Sequence, residues 1–291
     1  MSGIAFFGAV EWGVIYGIVA FGVFLTFRVL DFPDLTVESS FPMGGAIVAT
    51  CIVSGINPWV GSILAAGGGA LMGMTTAFLS VHCGILHLLA GILTMIAGFS
   101  INLRIMGRPN ISLLREETVF SPLEHLPVEL FYTRPLFLAV MAFLLIVLLT
   151  RMLLSEAGLA TRAAGSNPKM LRAAGGNPGV YVYLGLAVSN ALVAFSGALL
   201  AQAMGFADVT TGVGTIIFGL AAVILGETLI RGDALWRMLA GCLLGAIVYR
   251  LAVATALSYD IGLKASDLNL VTAILVALAL VAPKIRAWLR R

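Results

Sequence analysis

Charge is scarce in this sequence. Asp, Glu, Lys and Arg supply 11% of its 291 residues, against 60% hydrophobic residues. An ordinary soluble domain carries about 25% charged residues, so this chain lacks the side chains to coat a water-facing surface. Its mean hydropathy of +1.05 makes the same point. Cysteine is equally sparse. Cys51, Cys83 and Cys242 each stand alone in or beside an apolar stretch. That excludes a disulfide framework or a cysteine zinc site, and the three read as small packed residues. Histidine occurs only three times and never in a His-Glu-x-x-His pattern, so nothing points to a metal centre or a membrane-embedded enzyme. No Gly-x-x-x-x-Gly-Lys-(Ser/Thr) loop is present to cradle a nucleotide phosphate. The N-terminus has neither the basic start nor the small-residue cleavage site of a signal peptide, so the first apolar segment is expected to remain in place. The net charge of +3 comes from scattered basic residues, which argues against a nucleic-acid partner.

What the chain does have is many apolar stretches near the roughly 20 residues that cross a bilayer. They fall at about 4–29, 40–56, 58–81, 85–106, 135–154, 179–204, 212–230, 235–257 and 268–283. Several are rich in Gly and Ala, as in Ala65-Ala66-Gly67-Gly68-Gly69-Ala70 and Gly197-Ala198. Small residues let helices in lipid approach closely, so these segments belong to a packed bundle and not to a lone anchor. The expected fold is all-α and polytopic, one membrane domain spanning 1–291 with eight or nine crossings. Basic residues concentrate in the C-terminal tail (Lys284, Arg286, Arg290, Arg291) and in 162–172. With nine crossings and the tail in the cytoplasm, the 155–178 loop is cytoplasmic too, along with Arg28, Arg151, Arg231 and Arg237. Arg104, Arg108, Arg115, Arg134, Arg250 and Lys264 then fall at or beyond the outer face. Glu116, Glu117, Glu124 and Glu129 offset the arginines of the external 107–134 loop.

Two connections carry unusual signals. In the first, Arg-Ala-Ala-Gly-(Ser/Gly)-Asn-Pro occurs twice, ten residues apart, from Arg162 and from Arg172. Each copy ends in a helix start, Asn as N-cap and Pro at the first helical position. Asn167-Pro168 is expected to open a short helix that stops at Gly175-Gly176, and Asn177-Pro178 to open the next membrane helix. A short capped helix on the cytoplasmic side has the shape of a docking element. The second connection, Leu30 to Gly45, packs Asp31, Asp34, Glu38, Pro33, Pro42 and two glycines between apolar stretches. Proline interrupts helices, and interrupted backbone at membrane depth survives only where protein or a watery cavity satisfies it.

The second connection has a distant echo. Phe32-Pro-Asp34-Leu-Thr36 recurs as Phe206-Ala-Asp208-Val-Thr210 at an offset of 174, with Gly45 matching Gly219 in the same register. Five predicted crossings separate the copies, so they are inverted relative to each other. Interrupted segments at matching points of inverted halves mark a transporter's central site. Ionisable residues inside a membrane also mark pathways. The candidate pathway residues are therefore Asp34, Glu38, Asp208 and Glu227, with Thr36 and Thr210 as hydroxyl partners. Their carboxylates can receive an ammonium group, or they can serve only to cap broken helices. His82, His87 and Glu11 stand isolated and are read as packing or interface residues.

This arrangement resembles the permease subunits of bacterial ABC importers in the branched-chain amino acid and ribose group. Asp34-Leu-Thr36-Val-Glu-Ser is similar to the Asp-Leu-Ser-Val-Gly element of the sugar permeases. Ala163–Pro178 followed by Leu184–Gln202 resembles the family's cytoplasmic coupling segment and the helix after it, and Phe206–Glu227 also fits. The wording around Asp31–Gly45 and Thr94–Gly107 is nearest a branch linked to amino acid uptake, including aromatic amino acids. Glu38 stands where sugar permeases carry glycine, which weakens a sugar assignment. The resemblance implies an inner-membrane, multi-pass permease that is not itself an enzyme. It also implies a second permease copy, a pair of cytoplasmic ATPase subunits that hold the ATP, and an extracytoplasmic substrate-binding protein. The coupling residues it implies are Arg162, Asn167, Pro168, Lys169, Arg172 and Gly175. The rival reading is an ion-coupled secondary transporter, which accounts for the inverted repeat but leaves the capped cytoplasmic helix unexplained.

Overall fold

The computed structural model describes residues 3–125, 130–230 and 232–258, and these are overwhelmingly helical. Helix α1 runs Gly3–Phe24 and continues as a π turn over Leu25–Val29. It is followed by α2 (Val37–Val53), α3 (Pro58–Val81), α4 (His87–Met106) and α5 (Leu130–Leu154). Two short helices, α6 (Glu156–Ser166) and α7 (Pro168–Ala173), lead into α8 (Pro178–Met204), α9 (Thr215–Leu229) and α10 (Leu235–Ser258). Seven spans among the described residues are long and apolar enough to cross a bilayer, and α2 is a shorter apolar helix beside them. The crossing expected at 268–283, the basic tail, Lys264, Arg231 and Glu129 lie outside the described residues.

Helix α8 organises one half of the bundle, packing on α2 and α3. The contacts are backbone to backbone, as the small-residue runs foretold. A side chain at Gly44 of α2 would overlap the Ala194 carbonyl of α8, and one at Gly197 of α8 would overlap the Phe41 carbonyl of α2. Gly69 and Gly73 of α3 meet α8 at Asn190 and Leu186 in the same way. Close approach of this kind replaces the hydrophobic drive that lipid removes. The other half packs α1 against α10, α9 and α5, around buried Phe21, Leu138, Leu149, Leu239 and Tyr249. The outer faces of α4 and α5 present Phe143, Leu144, Leu93 and Ile96 to the surroundings. In a bilayer those are lipid-facing or partner-facing positions.

Two helices are short for the roughly 30 Å hydrocarbon layer. At 1.5 Å per residue, α2 is about 26 Å long and α9 about 23 Å. Each follows one copy of the sequence repeat, and α2, α3, α4, α5 and α8 lie between the copies. The expected all-α, polytopic architecture is present, with an interruption before each of these two short helices. Its details differ from the sequence expectation in three places. Pro42 does not break the chain: the interruption is confined to residues 30–36, and Pro42 sits inside α2. The carbonyl of Glu38, four residues earlier, faces Gly212, where no side chain would fit. The 155–178 connection holds two helices instead of one, because Ser155 accepts a hydrogen bond from the Gly158 N–H at 3.3 Å and caps α6. Finally, α5 begins five residues before Pro135, which sits inside the helix instead of opening it.

Candidate functional site

The first interruption begins in the π turn. Leu30 N–H donates to the Leu25 carbonyl at 3.0 Å and Phe32 N–H to the Thr26 carbonyl at 2.9 Å. The chain then turns through Asp31 at φ +52°, a conformation that Asp tolerates better than bulkier residues. A π turn inserts a residue into the helical ladder and is favoured where function needs a local distortion.

Beyond it lies a buried polar network. One carboxyl oxygen of Asp34 accepts from the Thr36 N–H at 2.9 Å, and the other from Asn190 Nδ2 at 2.7 Å. Asn190 Oδ1 accepts in turn from the Ser40 hydroxyl at 2.7 Å. The Thr36 hydroxyl meets that of Thr76 on α3 at 2.6 Å. Every residue here is fully buried. The network therefore ties the break to α2, α3 and α8 at once. Unpartnered polar groups at this depth would be costly, and here each has found a partner. Asn190 and Thr76 escaped the sequence reading. The pair Ser189-Asn190 in the middle of an apolar run was the available signal.

Glu38, in the first turn of α2, has a different setting. It is half-buried, and one carboxylate oxygen accepts from the Gly214 N–H at 3.2 Å. Gly214 is the N-cap of α9, in left-handed conformation at φ +82°. The same Glu38 lines a cavity of about 350 Å³ with Met95, Ile96 and Phe99 of α4 and with Val213. The two short helices thus meet through one side chain, and that side chain faces open space.

Asp208 and Thr210 lie elsewhere, near the end of α8. Residues Phe206–Asp208 (β2) pair antiparallel with Asn110–Ser112 (β1), Asp208 opposite Asn110. Asp208 accepts from the Thr210 N–H at 2.7 Å, from the Thr210 hydroxyl at 2.5 Å and from Asn110 Nδ2 at 3.3 Å. Burial by itself would raise its pKa, but the hydrogen bonds outweigh it and hold the carboxyl below its ordinary value.

Glu227 lies at the opposite end of α9, in a two-pronged ion pair with Arg28 of the π turn. The pair borders an open cavity of about 1000 Å³ that also takes in Asp31, Asp233, and Arg162 and Gly165 of α6. The six pathway candidates therefore do not form one cluster. Asp34 and Thr36 are enclosed, Glu38 faces a mid-bundle cavity, Asp208 and Thr210 sit at one end, and Glu227 at the other.

Five of the six coupling candidates lie on or beside α7, and the sixth, Arg162, is on α6 at the cavity just described. Asn167 Oδ1 accepts from the Met170 N–H at 3.0 Å, and Pro168 takes the first helical position of α7. Gly175 stands at φ +85°, and Gly176 N–H closes the end on the Leu171 carbonyl at 2.9 Å. Asn177 repeats the cap for α8, accepting from the Gly179 N–H at 3.0 Å. Lys169, Arg172, Met170 and Gly175 are exposed, while Leu171 is buried and pins the helix down. His82 and His87 prove to have partners: His82 Nδ1 meets the Tyr183 hydroxyl at 2.8 Å, and His87 Nδ1 meets the Ser80 hydroxyl.

Taken together, these features define a multi-pass integral membrane transport protein with discontinuous helices. The chain belongs to the family of branched-chain amino acid transport system permease components, whose family model matches residues 5–282. It is similar to a tyrosine transport system permease protein of Clostridioides difficile (strain R20291), 36% identical over 278 residues, 95% of this chain and 90% of that one. It is also similar to the fructose import permease protein FruF of Bifidobacterium longum (strain NCC 2705), 24% identical over 87% of this chain and 70% of that one. In fold it matches a chain of PsaBC from Streptococcus pneumoniae in complex with Fab, with a TM-score of 0.52 and 16% identity, covering 94% of this chain and 89% of that one. The family is one of transporter membrane subunits and not of catalysts.

Proposed function

We infer that this chain forms the translocation pathway of an ATP-driven importer for amino acids, with tyrosine and other aromatic amino acids the first substrates to test. The observation that carries the substrate class is Glu38. Its carboxylate sits where two interrupted helices meet and faces a cavity walled by Phe99, Met95 and Ile96. A carboxylate is the natural partner of an ammonium group, and the aromatic and thioether walls suit an apolar side chain. Positive helix N-termini near the same point favour the substrate's carboxylate. The family's glycine at this position in sugar permeases, and the tyrosine permease among the relatives, support the same class.

The energy source is a separate ATPase pair, docked on α7 and its neighbours. Arg162, Lys169 and Arg172 hold it by charge, and Asn167, Pro168 and Gly175 set the shape of the knob. No ATP or other cofactor is assigned to this chain. A second copy of the chain completes the assembly, and an extracytoplasmic binding protein delivers the substrate. An ion-coupled transporter gives α7 no task.

Affinity purification of the tagged chain from membranes tests the assembly. An ATPase and a binding protein are expected to co-purify, and the binding protein is expected to bind amino acids. A binding protein that takes a sugar and ignores amino acids would overturn the substrate class.

A further inference from the structure

A transporter driven from the cytoplasm needs a mechanical path from its docking helices to its central site, and the packing around α6 contains one. Gly165 lies in the last turn of α6 against the backbone of the π turn. A Cβ there would overlap the Val29 carbonyl and stand 2.8 Å from both the Leu30 Cα and its carbonyl carbon. No flexible side chain separates the two segments; backbone rests on backbone. Leu30 is wedged on its far side by α8, where a Cβ at Gly185 would stand 3.0 Å from Leu30 Cγ. Leu30 is buried with Phe32, Ala77 and Leu186. Residues 29–30 thus form a strut between α6 and α8.

The strut leads to the site in both directions. Downstream, Asp34 and its buried network lie four positions beyond Leu30, and Glu38 four positions further. Through Arg28 the same π turn grips Glu227 at one end of α9, while Glu38 holds Gly214 at the other. A shift of α6 at Gly165 therefore has a route to both interrupted helices, alongside the direct packing of α6 on α8. Leu25, Thr26 and Val29 of the π turn are buried and Phe27 is partly buried against the same apolar core, so the strut has little freedom to absorb the shift.

We propose that Gly165 is a positioning residue for transport, the bare-backbone contact through which α6 moves the π turn and the interrupted entry to α2. The inference rests on the reading of this chain as a permease driven by a separate ATPase. Gly165 has an ordinary helical backbone, so Gly165→Ala should by propensity favour α6. Any loss must come from the contact. Gly67→Ala, on an open face of α3, is the matched control.

Two measurements decide it. In the purified permease alone, hydrogen exchange of amides 30–36 is expected to rise about tenfold in Gly165→Ala and to stay unchanged in Gly67→Ala; couplings between sites typically span about 5–150-fold. Unchanged exchange would overturn the contact, whatever powers transport. In proteoliposomes with the ATPase, Gly165→Ala is expected to keep hydrolysing ATP while substrate imported per ATP falls about tenfold. An unchanged ratio would overturn the proposal. Should Gly165→Ala not insert, Gly185→Ala displaces the same strut from the other side, and Leu30→Ala in that background is expected to restore the ratio. Failure of that rescue would overturn it equally. Uptake by the wild type without ATP would instead contradict the proposed function, and the exchange measurement would still decide the contact.

Discussion

Asp34 and Asp208, 174 positions apart, make the same local turn: each accepts a hydrogen bond from the backbone N–H two residues on, Thr36 at 2.9 Å and Thr210 at 2.7 Å. Each turn introduces one of the two short helices. The shared geometry ends there. Asp34 is sealed between α2, α3 and α8, whereas Asp208 sits on a small strand pair beyond α8. One motif thus serves as an internal joint in one half and as a rim fastening in the other.

The joint predicts a stability cost. Asp34→Ala strands the Thr36 N–H and one Nδ2 hydrogen of Asn190, whose other donates to the Leu186 carbonyl at 3.0 Å, in a dry setting, at about 1–3 kcal/mol for each stranded donor. The thermal midpoint in detergent is expected to fall by roughly 5 °C or more. Asp34→Asn keeps an acceptor and should cost less. Equal stability of Asp34→Ala and wild type would contradict the network.

Glu38 predicts a functional loss without a structural one. Glu38→Gln preserves an acceptor for Gly214 N–H and fills the same space, so membrane insertion and thermal stability should match wild type. Uptake is expected to fall by about tenfold, the cost of one lost ionic contact of about 1.4 kcal/mol. Transport by Glu38→Gln at the wild-type rate would leave Glu38 as a helix cap only.

The Arg28–Glu227 pair predicts a reversible charge defect. Both side chains reach solvent, at 56% and 30% exposure, so the pair contributes at most about 1 kcal/mol to stability. Its weight should appear in uptake. Arg28→Glu and Glu227→Arg are each expected to impair import, and the double reversal to recover most of it. Additive defects in the double variant would mean that the two charges act separately.

Asp208 predicts a pH effect confined to one end of the molecule. Its carboxyl is held below the ordinary value of 3.8, so the charged form stabilises the turn above that pH, and the contribution is lost as pH falls through the lowered value. Hydrogen exchange of residues 206–214, corrected for intrinsic rates, should therefore stay protected down to about pH 4 and loosen below it. Asp208→Asn should show no such step.

Much of this was written in the sequence because lipid imposes length and polarity so strictly. The span expected at 58–81 is α3 to the residue, since Asn57 and Pro58 announce its start chemically. The Asn-Pro pairs placed α7 and the start of α8 for the same reason. Less legible were features that depend on who sits opposite. The π turn at Leu25–Val29 leaves no compositional mark, and Pro42 reads as a break until Gly212 is seen beside the Glu38 carbonyl. Asn190 joins Asp34 across 156 positions, a contact that no local pattern encodes. The capped start of α6 at Ser155 was readable but lay in the shadow of the more conspicuous Asn-Pro repeat. The pathway candidates were chosen as charges in apolar surroundings, which is why they proved to occupy four separate places.

The most direct measurement is uptake of radiolabelled tyrosine into proteoliposomes that contain this chain, its ATPase and its binding protein, with ion gradients collapsed by ionophore. Uptake that requires ATP inside the cytoplasmic compartment, survives the ionophore and is competed by amino acids is the predicted result. Uptake that proceeds without ATP and disappears with the ionophore would contradict the account.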